Sequence, residues 1–337
     1  AGALYVSAEN AMFGNTFGGA QIIEVVVIDG QDETDEKQGE PVVKVDENQL
    51  RMVQGADGNW YGYFGDSTAV AAADSATNNL DFGTDGDPTI IEGDWAEATN
   101  VFYAAAAGVV SNPPALSNYN ETTTANQSDV THLAFSVGQI GIAEVNWPVI
   151  QLYDFTIGNF DVVYEQAGAD EVVSLDYNSA DLDDFASIEV DRNSGSQESQ
   201  VHLVITDNQL NIDPTAEDIV IFYVGGPGTA NEGVSFTDGS SYASTNYIVY
   251  DNYFDDNGKL IITNATNGGT SVFVNDATLD DTTADNFMVF FEGGENSGIF
   301  YNTDDDDDAN LEVGDYAKRG FTATIDYNDS AQSYVIA

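Results

Sequence analysis

The stretch Val201-His-Leu-Val-Ile-Thr-Asp-Asn-Gln-Leu-Asn-Ile-Asp-Pro-Thr-Ala-Glu-Asp-Ile-Val-Ile-Phe-Tyr-Val224 decides the fold. Two apolar runs, 201–205 and 219–224, are rich in β-branched and aromatic residues and are bounded by Asp, Asn and Pro, the signature of strands. Pro214 lacks an N–H and cannot sit inside a central strand, so the connection is a loop. That loop carries Asp207, Asn208, Asn211, Asp213 and Asp218 with no positive charge among them. Strand, carboxylate-rich loop, strand is the unit of design, and the loop is a candidate cation site.

The same design recurs on both sides. Residues 21–28 form a strong apolar run that empties into Asp29-Gly-Gln-Asp-Glu-Thr-Asp-Glu36, and Val25-Val-Val-Ile-Asp-Gly30 parallels Leu203-Val-Ile-Thr-Asp-Asn208. Short strands follow at 42–45, 49–53 and 60–64, with Gly55-Ala-Asp-Gly58 as a turn. In 60–64 the period of two places Tyr61 and Tyr63 on one face and Trp60, Gly62 and Phe64 on the other. Ala-rich stretches at 67–77 and 96–107 read as short helices, and 111–129, with Asn112-Pro-Pro114 and many Ser, Thr and Asn, as an exposed loop. Strands resume at 131–137, 140–145 and 149–155. A second series runs through 161–164, 171–176, 186–190, 201–205, 219–224 and 247–250. It continues at 259–263, 270–274, 287–292, 298–301, 321–325 and 333–336. Strands every ten to fifteen residues or so, joined by Gly, Asn and Asp turns, predict an all-β chain of antiparallel β-sandwiches. The expected organisation is an N-terminal arm at 1–20, a first domain at 21–156 with inserted loops, and a second at 157–337.

Composition restricts the function. In 337 residues there are 58 Asp and Glu against 7 Lys and Arg, a formal net charge of −51, while 42% of residues are apolar. The apolar fraction is that of a folded protein. The charge repels nucleic acid and anionic lipid, excluding both as partners, and attracts small cations. There is no Cys, so disulfides and thiolate chemistry are absent. No run approaches the ~20 apolar residues of a membrane span. The start at Ala1 with small and apolar residues suits signal-peptide removal, and the end inside the apparent strand Ser333-Tyr-Val-Ile-Ala337 suits a longer polypeptide.

Several stretches resemble the repeated domains of S-layer proteins from ammonia-oxidising (thaumarchaeal) archaea. They are Ala186-Ser-Ile-Glu-Val-Asp-Arg192 with 201–218, and Gly39-Glu-Pro-Val-Val-Lys-Val45 with Leu50-Arg-Met-Val-Gln-Gly-Ala-Asp-Gly-Asn-Trp-Tyr-Gly-Tyr-Phe64. Near the end, Ala309-Asn-Leu-Glu-Val313 and Ala317-Lys-Arg-Gly-Phe-Thr-Ala-Thr-Ile-Asp-Tyr-Asn-Asp-Ser330 match as well. The matches are spread over most of the chain, and 65–130 departs most. The resemblance implies tandem immunoglobulin-like domains in a secreted, extracellular protein that tiles a cell surface with identical subunits. It also implies calcium or other divalent cations and N-linked glycans. A porous sheet of this charge would concentrate small cations such as ammonium.

Calcium takes six to eight oxygens from carboxylates, amides and carbonyls on a flexible loop. Asp207, Asn211, Asp213 and Asp218 supply one candidate set, Asp29, Asp32, Asp35 and Glu36 a second, and Asp251, Asp255 and Asp256 a third. None has EF-hand spacing. The run Asp304-Asp-Asp-Asp-Asp308 reads as a solvated loop, since alternate residues of an extended chain point opposite ways. Glycosylation sequons occur at Asn120, Asn126, Asn264 and Asn328. His132 and His202 are the only histidines, which rules out a His-rich metal site, and no nucleophile elbow, P-loop or dinucleotide fingerprint appears. The competing classes are a secreted adhesin or pilus-like binding module and a salt-adapted extracellular enzyme.

Overall fold

The structure, a computed structural model, describes residues 3–28, 41–50, 52–54, 57–66, 68–70, 104–105, 109–110, 150–153, 155, 158–215, 217–223, 233–237, 259–262, 273–275, 287–303, 308–328 and 330–337. It is all-β, and most strand pairs are antiparallel. The described residues divide into two compact units, one within Ala1–Ala76, Asp81–Asn178 and Ile212–Ala216, the other within Ser179–Asn211 and Glu217–Ala337.

The first unit packs two sheets face to face. One has the order β1 (Ala3–Val6), β3 (Ile23–Ile28), β7 (Trp60–Asp66), β10 (Ile150–Tyr153), with β6 (Val53–Gln54) also against β7. The other has the order β2 (Thr16–Phe17), β12 (Glu171–Tyr177), β11 (Asn159–Tyr164), β4 (Val43–Val45), β5 (Asn48–Leu50). Alternation in β3 and β7 sends Ile23, Val25, Val27, Trp60 and Phe64 inward, where they meet Val43, Val45, Phe160, Val162, Val173 and Leu175 of the opposing sheet. Phe17, Phe64, Phe155, Phe160 and Tyr177 form an aromatic knot in this core; Phe155 stacks on Phe160 at 4.7 Å and Phe17 meets Tyr177 edge-on at 5.1 Å. Tyr61 and Tyr63 lie on the opposite face of β7, as the period of two requires, and are buried as well.

This unit corrects the expected domain boundary. β11 pairs with β4, and β12 with β11 and β2, which completes the first core, so the division falls after Asn178 rather than at 156. Residues 1–20 are not a separate arm, because they supply β1 and β2. The Ala-rich stretch at 96–107 contains a strand, not a helix, where it is described. β8 (Ala104–Ala105) pairs with β9 (Val109–Val110). A helical turn does start at 68–70, with the Asp66 carboxylate accepting from the Thr68 and Ala69 N–H groups at 3.0 and 2.8 Å.

The second unit has a sheet of order β13 (Ser187–Val190), β15 (Leu203–Thr206), β21 (Ile299–Tyr301), β20 (Phe287–Glu292), β16 (Ile219–Tyr223), β17 (Gly233–Thr237). A second sheet has the order β14 (Ser194–Gly195), β24 (Ser330–Ile336), β23 (Thr322–Tyr327), β18 (Leu260–Ile262), and β19 (Phe273–Asn275) pairs with β22 (Leu311–Val313). Phe222 of the first sheet meets Phe290 at 5.3 Å and Tyr327 of the second sheet at 5.8 Å, both edge-on.

Both units use one strand frame. The first strand of each pairs antiparallel with the next long strand, β1 with β3 and β13 with β15. The chain then crosses to run parallel to the last strand, β2 with β12 and β14 with β24. The last two strands form a hairpin flanked by β4 in one unit and β18 in the other. The internal repeat seen at 25–30 and 203–208 is the equivalent strand of that frame, β3 and β15.

Candidate functional site

The loop that follows β15 is built around a buried carboxylate. Asp207 has no exposed surface, and its backbone N–H donates to the Gly298 carbonyl at 2.9 Å. One carboxylate oxygen accepts from the Gln209 N–H at 2.9 Å, capping the 3-10 turn Asn208–Leu210. The other accepts from the Tyr327 hydroxyl. A carboxylate removed from water requires such donors, and both oxygens have one.

The other loop residues do different work. Asn211 is buried and its amide nitrogen donates to the Asn296 side-chain oxygen at 2.6 Å. Asp213 accepts from the Thr215 N–H at 2.9 Å and from the Thr215 hydroxyl, a local turn that holds Pro214 in place. This turn belongs to the first unit, where the Ile212 carbonyl accepts from the Ile22 N–H at 3.1 Å. Asp218, half-buried beside β16, donates its N–H to the Glu292 carboxylate at 2.9 Å and accepts from the Glu292 N–H at 3.0 Å. Among the described residues no three His, Cys, Asp or Glu side chains lie close enough to hold one ion.

Of the other candidates, Asp29, Asp32, Asp35, Glu36, Asp251, Asp255, Asp256, Asn120, Asn126 and Asn264 lie outside the described residues. Asn328 occupies the β23–β24 hairpin in the left-handed region (φ 48), which Asn tolerates better than most residues. It is half-buried, and its amide nitrogen, the atom a glycan would join, donates to Asp183 at 3.4 Å. Of the five-Asp run only Asp308 is described; it is exposed and accepts from the Gln200 amide at 2.8 Å.

Sequence reasoning missed the buried polar residues that organise the loops. Glu292 is 3% exposed, and its carboxylate collects three backbone N–H groups, from Asp218, Ser297 and Gly298, at 2.9, 3.0 and 2.9 Å. Glu24 on β3 accepts from the Tyr63 hydroxyl at 2.8 Å. Burial, and secondly the charge of Glu24, pushes the Tyr63 hydroxyl well above the ordinary tyrosine range. Asn302 and Asn310, on either side of the five-Asp run in sequence, bond to each other, the Asn302 amide donating to the Asn310 side-chain oxygen at 3.2 Å. Asn302 accepts from Leu203 N–H at 2.8 Å and donates to the Val201 carbonyl at 2.9 Å, and Asn310 donates to the Val289 carbonyl at 2.6 Å. A lone carboxylate within an apolar β run, as in Phe-Met-Val-Phe-Phe-Glu292 and Ile-Ile-Glu24-Val-Val-Val27, was the signal available.

The described acidic side chains thus include a buried set tied to backbone amides and tyrosines and an exposed set facing solvent. Part of the exposed set lines a groove of about 510 Å³ in the first unit, formed by Asp46, Asn159, Phe160, Asp161, Val163, Ser174 and Leu175. The Asp46 N–H donates to the Asp161 carbonyl at 2.9 Å, which fixes the two acids beside each other. No protein-family model matches the chain, and no curated protein matches it.

Proposed function

We propose that this chain is a structural segment of an archaeal surface layer, secreted and assembled with identical subunits into a porous, strongly acidic sheet. The observation that carries the reading is the recurrence of one strand frame in both units, with the first strand split between the two sheets. Two sheets and a split first strand suit immunoglobulin-like modules, which serve as repeated spacers in extracellular proteins. The buried carboxylates support the same reading. Glu24, Asp66, Asp207 and Glu292 have donors inside the fold, so they stiffen loops. With 58 acidic against 7 basic residues, the whole chain carries a net charge of −51 that must be neutralised when copies pack side by side.

Divalent cations such as calcium would supply that neutralisation at the surface acids, and N-glycans would occupy exposed sequons. A sheet of this kind concentrates small cations, ammonium included, and repels anions. Electron microscopy of the purified full chain with and without calcium is the test. Ordered two-dimensional sheets that form with calcium and dissolve on chelation are the expected result. A chain that stays monomeric at every calcium and protein concentration overturns the reading.

A further inference from the structure

Three of the chain's 7 basic residues, Arg192, Lys318 and Arg319, gather around one strand of the second unit. The Gly320 N–H donates to the Ile336 carbonyl at 2.8 Å, and the Ile336 N–H donates to the Phe321 carbonyl at 2.9 Å. The Gln197 amide donates to the Ala317 carbonyl at 2.8 Å. These bonds pin the turn that carries Lys318 and Arg319 against the end of β24. The Val335 N–H donates to the Asn193 carbonyl at 2.9 Å, which brings Arg192 to the same strand.

The corner is apolar as well as cationic. Tyr316 is 71% exposed, Phe321 52% and Val335 40%, while Ala317 beneath them is buried. Tyr316 and Phe321 are the most exposed aromatic residues among those described. Lys318 and Arg319 are exposed and form no ion pair among the described residues. Arg192 has only a loose contact of 3.9 Å with its neighbour Asp191. Asp191 and Asp315 border the corner. Cations and exposed aromatic rings that flank one strand, on a chain of charge −51, suit an acidic partner.

The chain itself carries such a partner surface. The groove of the first unit sets the exposed Asp46 and Asp161 beside the half-buried Val163, and its volume of about 510 Å³ accommodates an aromatic or guanidinium side chain. We propose that the corner formed by Arg192, Tyr316, Lys318, Arg319 and Phe321 docks into this groove on a second copy of the chain. The two surfaces differ, so the contact is heterologous, and copies joined by it close into a ring or extend as a chain according to the rotation between them. The inference rests on the surface-layer reading and names one of its subunit contacts.

The test uses the full chain. Lys318→Glu with Arg319→Glu reverses the corner. Asp161→Lys with Asp46→Asn makes the groove positive and keeps a residue that tolerates the left-handed backbone at position 46, where φ is 55. Tyr316→Ser with Phe321→Ser removes the apolar part at constant charge. Association is read by sedimentation velocity and electron microscopy, with circular dichroism to confirm the native fold. Each pair of substitutions is expected to weaken association by about tenfold or more, and combining the corner and groove reversals in one chain should restore it. Undiminished association of the folded corner variants, or a folded combined variant that stays monomeric, overturns the contact. Sheets that persist in the reversed variants overturn this contact alone. A wild-type chain that never assembles overturns it together with the surface-layer reading.

Discussion

The Tyr327 hydroxyl donates to the Asp207 carboxylate, tying the last residue of β23 to the residue that follows β15 in the opposing sheet. Both side chains are fully or almost fully buried. A hydrogen bond to a buried charge contributes about 1.5–3 kcal/mol, and the carboxylate left short of a donor is the larger part of the loss. Tyr327→Phe should therefore destabilise the second unit by about 2 kcal/mol. Trp60 is buried in the core of the first unit, and Trp60, Trp95 and Trp147 all precede Asn178 in the sequence, so tryptophan fluorescence is the probe chosen for that unit. Denaturation followed by tryptophan should be unchanged in Tyr327→Phe, while calorimetry of the same protein shows the second unit melting earlier.

Glu292 offers a stronger case because one carboxylate serves three backbone donors. Glu292→Gln retains the shape but turns an acceptor oxygen into an amide that faces an N–H. The expected loss is about 2–4 kcal/mol, more than for Tyr327→Phe, because at least one buried N–H is left unpaired. Amide hydrogen exchange should show Ser297 and Gly298 losing protection before the core strands do. Equal protection in the variant and the parent would rule out the latch.

Much of the strand pattern was legible in the chain, since β15, β16, β3, β7 and β20 lie where apolar runs end in Asp, Asn or Gly. The meaning of the acidic loop was not. Asp207 is read locally as one of several candidate oxygen ligands, and a residue that donates to its carboxylate, Tyr327, is 120 positions away. The domain boundary failed for the same reason. Nothing within 159–177 marks β11 as the partner of β4 or ties the β11–β12 hairpin to the first core rather than to the strands that follow; the pairing is a fact of the core, where Val162 meets Val45. Charge was legible only as a total, while the fold separates carboxylates tied into its interior from those left to the solvent.

The buried tyrosines make stability fall at alkaline pH. Burial holds the Tyr63 and Tyr153 hydroxyls above the ordinary tyrosine range, with Glu24 adding to the effect at Tyr63. The unfolded chain loses these protons near pH 10 while the folded chain keeps them. Below about pH 10 both states are protonated and the contribution is fully present. Above it the native state binds more protons, so each tyrosine removes about 1.4 kcal/mol per pH unit until its folded value is passed. The Tyr153 hydroxyl is buried with no hydrogen-bond partner among the described residues. Tyr153→Phe should therefore be neutral or slightly stabilising at pH 7 and should reduce the alkaline slope of the first unit, measured by tryptophan fluorescence across a pH series. An unchanged slope would show that Tyr153 ionises as readily in the fold as outside it.

Gly195 tests the parallel pairing that both units share. It lies in β14 opposite Ile336 of β24, and a Cβ placed on it would collide with the Tyr334 hydroxyl and come within 3.1 Å of the Ser199 Cβ. Gly195→Ala must push the Tyr334 ring or the short strand aside, at a cost of about 1–3 kcal/mol. The closest contact is with the hydroxyl oxygen alone, so Tyr334→Phe removes that obstacle and leaves the ring in place. The double variant should recover about half of the loss, a coupling that a thermodynamic cycle on the second unit measures directly. Strict additivity of the two substitutions would mean that β14 yields rather than Tyr334, and that the split first strand is held there by its backbone bonds to β24 alone.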